Sequence, residues 1–135
     1  MALYSTYIAN IKNLTKEQQN QVLIIARYFK PGKFKKDIRL CPSDELLRAI
    51  KSGEIDWDEY EVYFAEEMKK DPMLTGLRDL YRRLKNGEDI ILVCYEKDYM
   101  QCHRRLIGEF LQKFGVEYHE LQVAAWLLLY RNAQW

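Results

Sequence analysis

The sequence has almost no net charge. Lysine and arginine total 21 and aspartate and glutamate 20, a formal +1. A polybasic or histone-like protein is thereby excluded, and bulk charge gives no argument for nucleic-acid binding. Cysteine is scarce and odd in number, so the 3 residues cannot all pair within one chain and do not build a disulfide scaffold. Glycine is scarce too, at 6 residues, and no G-x-G-x-x-G or Walker-type phosphate cradle is among them. The longest apolar run, Val123 to Tyr130, is 8 residues, far short of the roughly 20 that span a bilayer. No membrane partner is expected. The opening MALYSTYIANIK has no charged stretch ahead of an apolar run, so no secretory leader is expected either. The cytoplasm is the expected location, and thiols stay reduced there.

What is present suits one packed domain. The chain has 135 residues, 48% hydrophobic and 13% aromatic, and single domains cluster near roughly 100–150 residues. Residues 2–9 carry the Tyr, Thr and Ile of a strand. Thr15 and Gln18 fit a capping box that opens a short helical turn. Residues 21–28 fit a helical stripe through Val22, Ile25 and Ala26. A short β-rich run ended by Pro31 and Gly32 reads better as a buried strand. Ser43 is the expected cap of a helix ending before Gly53. Asp56 and Glu59 open another over 57–70, with Trp57, Tyr60, Phe64 and Met68 on one face. Pro72 separates it from a helix over 73–86 with Leu74, Leu77, Tyr81 and Leu84 as its apolar stripe. Asp89 to Cys94 is a continuous apolar run of the kind buried in a parallel sheet. Asp98 should cap a helix over 99–114, with Leu106, Ile107, Phe110, Leu111 and Phe114 facing the core. Val116 to Leu121 reads as a last strand.

Strand, helix and strand in this order make a βαβ unit, which winds right-handed. The expected architecture is a single three-layer, Rossmann-like α/β domain over residues 1–121, its sheet mostly parallel and flanked by helices. Residues 122–135 form an apolar extension, read as a short helix docked on the domain or on a partner, where a second copy would make a homodimer.

Charge is uneven along the chain. In the loop 30–39, Lys30, Lys33, Lys35, Lys36 and Arg39 stand against Asp37 alone, a local +4. From Glu54 to Asp71, 8 acids against 2 lysines give −6. Arg78, Arg82, Arg83 and Lys85 make the 73–86 helix basic on its outer face. The loop could reach a nucleic-acid backbone, or it is a solvated charged loop against the acidic helix.

Ligands of open α/β sheets bind outside the carboxyl ends of the strands. The strand 89–94 ends in Cys94-Tyr-Glu96-Lys97-Asp98, and the next helix opens around Cys102-His103-Arg104-Arg105. Thiol, imidazole, carboxylate, ammonium and guanidinium crowd this junction. A helix start and neighbouring cations favour a thiolate at Cys102, a candidate nucleophile. Glu96 and His103 are candidates to polarise or transfer protons. Arg104 and Lys97 would hold ligand charge, with Arg105 forming a surface ion pair to Glu109 at i,i+4. The plainer alternatives stay open: Cys94 and Cys102 as core cysteines, or as a disulfide. A metal site would recruit Cys94, Cys102, His103 and the distant Cys41, but the separation of eight positions between Cys94 and Cys102 is unlike the tight pairs of zinc sites. No metal and no cofactor is assigned. A phosphate-loop phosphatase needs arginine six residues past its cysteine; those positions are Met100 and Gly108.

The run Ile91-Leu-Val-Cys94-Tyr-Glu96-Lys97-Asp98, followed by Cys102-His103-Arg104, resembles the signature of the domain-of-unknown-function family 488. Tyr4 to Tyr7, Ile25 to Tyr28, Leu40 to Ser43 and Gly53 to Tyr60 resemble further segments of a branch with many archaeal members. The likeness covers roughly residues 3–120. It implies a Rossmann-like domain with Arg27, Arg39, Cys94, Glu96, Lys97, Cys102, His103 and Arg104 near one another. The expected function is binding of an anionic, phosphate-bearing ligand, a nucleotide or nucleic acid, with Cys/His-dependent transfer or hydrolysis. The alternative is a non-catalytic nucleic-acid or protein interaction module, its Cys-His-Arg cluster structural.

Overall fold

The apolar run at residues 89–94 becomes the middle strand of the protein. In the computed structural model, which describes residues 2–122, Ile90 to Cys94 are at most 2% exposed. A strand this dry on both faces belongs inside a covered parallel sheet.

Among the described residues the sheet has five strands: β1 (Ala2–Tyr7), β2 (Val22–Ile24), β3 (Lys35–Lys36), β4 (Asp89–Cys94) and β5 (Tyr118–Glu120). Their order is β3-β2-β4-β1-β5, and every pairing is parallel. Among the described residues five α-helices accompany them: α1 (Lys16–Gln19), α2 (Asp44–Ser52), α3 (Trp57–Met68), α4 (Met73–Lys85) and α5 (His103–Gln112). Successive helices α2, α3 and α4 pack on one another, while α5 lies along β1, β4 and β5. The chain is thus one Rossmann-like α/β domain with helices flanking a parallel sheet. Among the described residues, no helix is long and apolar enough to cross a membrane.

The caps form as their residue types require. Thr15 Oγ1 accepts from Gln18 N, and the Gln18 side chain accepts from Thr15 N. Asp56 and Glu59 do the same for α3. Ser43 Oγ accepts from Leu46 N, and Gly53 ends α2 in the left-handed region at φ 81°, a conformation open to glycine. Glu67, far along α3, accepts from Ser43 N at 2.9 Å and pairs with its hydroxyl, tying α3 to the start of α2.

Several expectations are corrected. The strand expected over 21–28 is ordered as β only over 22–24, and the chain then runs on buried through Ala26. The basic loop 30–39 contains the edge strand β3 and a 3₁₀ turn at Ile38–Leu40. On α4 the buried stripe is Met73, Leu77, Leu80 and Leu84, one step round from Leu74 and Tyr81. The helix expected over 99–114 is divided. Asp98 caps a single 3₁₀ turn, Tyr99–Gln101, through Met100 N at 3.1 Å. Cys102 is then extended at φ −141°, ψ 144°, and α5 begins at His103. Phe114 is 56% exposed rather than in the core. The extension beyond residue 122, with its helix and homodimer readings, lies outside the described residues.

Gly108 sits in mid-helix for a reason of space. A Cβ there would press into the Tyr118 ring of β5, closer than real Cβ contacts come. Gly108→Ala is expected to destabilise the fold by about 1–3 kcal/mol through overpacking. The change should appear as a lower urea midpoint at unchanged m-value; an unchanged midpoint would show that Tyr118 can step aside.

Candidate functional site

A cleft of about 430 Å³ opens at the carboxyl edge of the sheet, where β2 and β4 end. Its floor is Cys94, Cys102 and His103, and its rim carries Glu96, Lys97 and Gln101 from the β4–α5 junction. Ala26, Arg27 and Tyr28 follow β2 into one wall, and α2 contributes Leu47, Ile50 and Lys51. Trp57 and Tyr60 come from the first turn of α3. The result is three cations and four aromatic rings, the fourth being Tyr95, around a sulfur and imidazole floor.

Arg27 is held by one corner. Its Nε donates to Pro42 O at 2.8 Å, and among the described residues its two Nη groups meet no acceptor. Lys51 Nζ lies 5.9 Å from the Tyr28 ring centre, and Tyr28 and Tyr95 are 59% and 60% exposed. Trp57 stacks on Tyr60 at 4.6 Å and 17°. Tyr60 stacks on Phe64 at 5.9 Å, and Phe64 lies 5.7 Å from the His103 ring. An aromatic ladder therefore runs from the cleft wall to its floor.

His103 is 7% exposed. Its Nε2 lies 2.8 Å from Ile25 O; a carbonyl only accepts, so Nε2 carries the proton and donates. The lone pair is then on Nδ1, which lies 3.7 Å from Cys102 Sγ. Burial, reinforced by the Arg104 charge, lowers the His103 pKa to about 4, against the Ile25 hydrogen bond. A ring held neutral with its proton tied to a carbonyl is better built to offer a lone pair than to shuttle protons near pH 7. Sulfur is the neighbour it addresses. The structure joins Cys94 and Cys102 as a disulfide, with their Cα atoms 7.8 Å apart. Cys41 is a separate, buried free cysteine, its thiol pushed up to about 11 chiefly by burial. It takes no part in the cluster of Cys94, Cys102 and His103, so the distant fourth metal ligand considered from sequence is not there.

Arg104 does not meet the cleft. The side chain is fully buried against Glu120, itself 7% exposed. Nε and Nη2 donate to the two Glu120 oxygens at 3.1 and 2.9 Å. Nη1 donates to Cys94 Sγ at 3.1 Å and to Glu96 O, and Nη2 also to Lys97 O at 3.3 Å. Every N–H of the guanidinium has an acceptor, so the expectation that Arg104 holds ligand charge is corrected. It holds the backbone carbonyls of Glu96 and Lys97 at the cleft rim. Arg105 pairs with Glu109 at 3.0 Å, as the i,i+4 spacing suggested, and with Glu61 of α3 at 2.7 Å.

Arg39 is also placed elsewhere. Its guanidinium grips Asp37 at 2.8 Å and Asp79 of α4 at 2.7 Å, and it does not line the cleft. These two carboxylates raise its pKa further above the ordinary arginine value.

The model of a protein family described as the active DUF488-N3 subclade matches residues 6–115. The chain belongs to this family. Neither the curated proteins nor the solved structures contain a match. Of the residues that the DUF488 likeness groups together, the cleft gathers Arg27, Cys94, Glu96, Lys97, Cys102 and His103. Arg104 stands directly behind them, and Arg39 stands apart. Sequence reasoning missed Tyr28, Lys51, Trp57, Tyr60, Tyr95 and Gln101 as lining. Trp57 and Tyr60 were visible as a helix stripe, but one read as core. Only their position in the first turn, three residues apart, hinted that they meet the end of the sheet.

Proposed function

We propose that the cleft binds a nucleotide unit, free or within a nucleic acid, and that transfer or hydrolysis takes place over the Cys102–His103 floor. The observation that carries this reading is the pairing of cations that meet no carboxylate among the described residues with aromatic faces in one concave site. Arg27, Lys51 and Lys97 suit phosphate oxygens. The Trp57 and tyrosine faces suit a base, since stacking contributes about 1–3 kcal/mol per base. The volume of about 430 Å³ falls within the range of small-ligand sites, roughly 300–1,000 Å³. The description of the family as active supports a reaction. While Cys102 is joined to Cys94 its sulfur is no thiolate, so a nucleophilic role for it belongs to the reduced protein.

The test is equilibrium binding of a nucleoside monophosphate, the matching nucleoside and inorganic phosphate to the full chain, by calorimetry. The monophosphate is expected to bind best. Arg27→Ala should weaken it about tenfold or more through a lost charge-assisted contact, and Trp57→Ala by a similar factor. Equal affinity for nucleoside and nucleotide would sink the phosphate role, and unchanged affinity in both variants would remove the cleft from consideration.

A second reading, the non-catalytic interaction module, has one observation in its favour: the Arg104 cluster is wholly engaged in holding the structure. Against it, part of the basic surface it would use is already paired. Lys36 donates to the carbonyls of Arg27 and Phe29, Arg82 meets Asp79, and Arg83 meets Glu88. Such a module would bind nucleic acid with an affinity falling steeply with salt.

A further inference from the structure

The cleft floor has the make-up of a metal site. Cys94 Sγ, Cys102 Sγ and a ring nitrogen of His103 lie within 4.8 Å of one another, all three residues buried. Zinc holds sulfur at about 2.3 Å and imidazole nitrogen at about 2.0–2.1 Å, which brings its ligand atoms within about 4 Å of each other. The Cys102 Sγ to His103 Nδ1 distance of 3.7 Å already suits that arrangement, whereas the two sulfurs, bonded to each other here, must part once the disulfide is reduced. The Cα atoms of Cys94 and Cys102 are 7.8 Å apart, wider than the roughly 4.4–6.8 Å usual across a disulfide. Two thiolates sharing an ion need no such close backbone approach.

The surroundings are those that ligands require. His103 donates Nε2–H to Ile25 O, which leaves Nδ1 to ligate; a second hydrogen bond of this kind is the regular support of a metal-bound histidine. Arg104 Nη1 donates to Cys94 Sγ, the partner a bound thiolate wants. Charge balances as well. Two thiolates and a neutral imidazole cancel a divalent cation, and the Arg104 charge is matched by Glu120. Without the cation, two buried thiolates would face Arg104 alone.

We propose that Cys94, Cys102 and His103 bind one zinc ion at the floor of the cleft. Each thiol releases its proton to solvent as its Zn–S bond forms. The pair is a disulfide in this structure, so a thiol or phosphine reductant must first supply two electrons, with two protons from water, to give the two thiols. Three protein ligands are the count of a catalytic rather than a structural zinc site, which keeps one position for water or substrate. All three ligands line the cleft, so that position belongs to the space read above as the nucleotide site. Cys102 is then a ligand, and an attacking oxygen would come from water. The inference adds to the nucleotide reading but does not depend on it.

The experiment uses the full chain, reduced with a phosphine and kept free of oxygen, titrated with cobalt(II) and then zinc(II) without any nucleotide. One equivalent of cobalt should give tetrahedral d–d bands and a thiolate charge-transfer band, both erased by one equivalent of zinc. Cys102→Ser and His103→Gln, each checked for folding by circular dichroism, should weaken zinc by at least about 100-fold, beyond the loss of an outer partner. Cys41→Ser should leave zinc affinity unchanged. A reduced, folded protein that gives no thiolate–cobalt band, or whose zinc affinity survives both ligand substitutions, overturns the proposal. Nucleotide binding measured on metal-free protein scores the other reading separately.

Discussion

Replacing Glu120 by alanine is expected to lower stability by about 3–5 kcal/mol, because it leaves the Arg104 guanidinium charged and unmatched inside the protein. Arg104 is fully buried and Glu120 is 7% exposed, so water cannot take over the role of the carboxylate. The pair is bidentate, at 3.1 and 2.9 Å, the strongest form of this contact. The loss should appear as a fall in the urea midpoint. Arg104→Met combined with Glu120→Leu removes both charges at once and should recover much of the stability, since well-packed apolar residues often replace a buried pair at little cost. The double variant should still fail to order the 95–98 loop, because Glu96 O and Lys97 O lose their donor. A single-variant cost below about 1 kcal/mol would mean that the pair is worth no more than a surface one.

This same pair shows where sequence reasoning stops. Arg104 and the strand end at Cys94 are near in sequence, and their meeting was legible. Glu120 reaches Arg104 because β5 pairs with β1 and brings residue 120 beside Ser5. Nothing in local spacing announces that, so Arg104 read as a ligand-facing cation. Elements whose signals are local came through. These include the apolar β4, the capping boxes at Thr15 and Asp56, the Ser43 cap and the parallel α/β layering that the βαβ order requires. The signals that failed were short or competing. A two-residue edge strand such as β3 has no periodicity to read, and Asp98 caps a turn that ends before the helix begins. Arg39 sits in a stretch of like charge that suggested a basic surface, yet Asp37 beside it and Asp79 on α4 take its guanidinium. Trp57 and Tyr60 belong to the core stripe and to the cleft wall at once, and periodicity reports only the first.

Truncating Phe64 to alanine should produce the other large effect, and it separates packing from function in the aromatic ladder. Phe64 is 0% exposed, and removing a buried phenyl ring costs about 3–5 kcal/mol when the surroundings cannot close in. Its neighbours here are Tyr60 at 5.9 Å and the His103 ring at 5.7 Å. The cavity would thus lie between the wall and the floor of the cleft. His103 would lose its support on one side and keep the Ile25 hydrogen bond and the Cys102 contact. Nucleotide affinity, measured at a temperature where the variant is still folded, should therefore drop although Phe64 does not line the cleft. Phe64→Leu fills most of the space and should restore affinity together with stability. If Phe64→Ala loses stability and binds as tightly as the parent, the ladder is core packing and nothing more. If affinity follows the volume at position 64, α3 sets the geometry of the floor through that one ring.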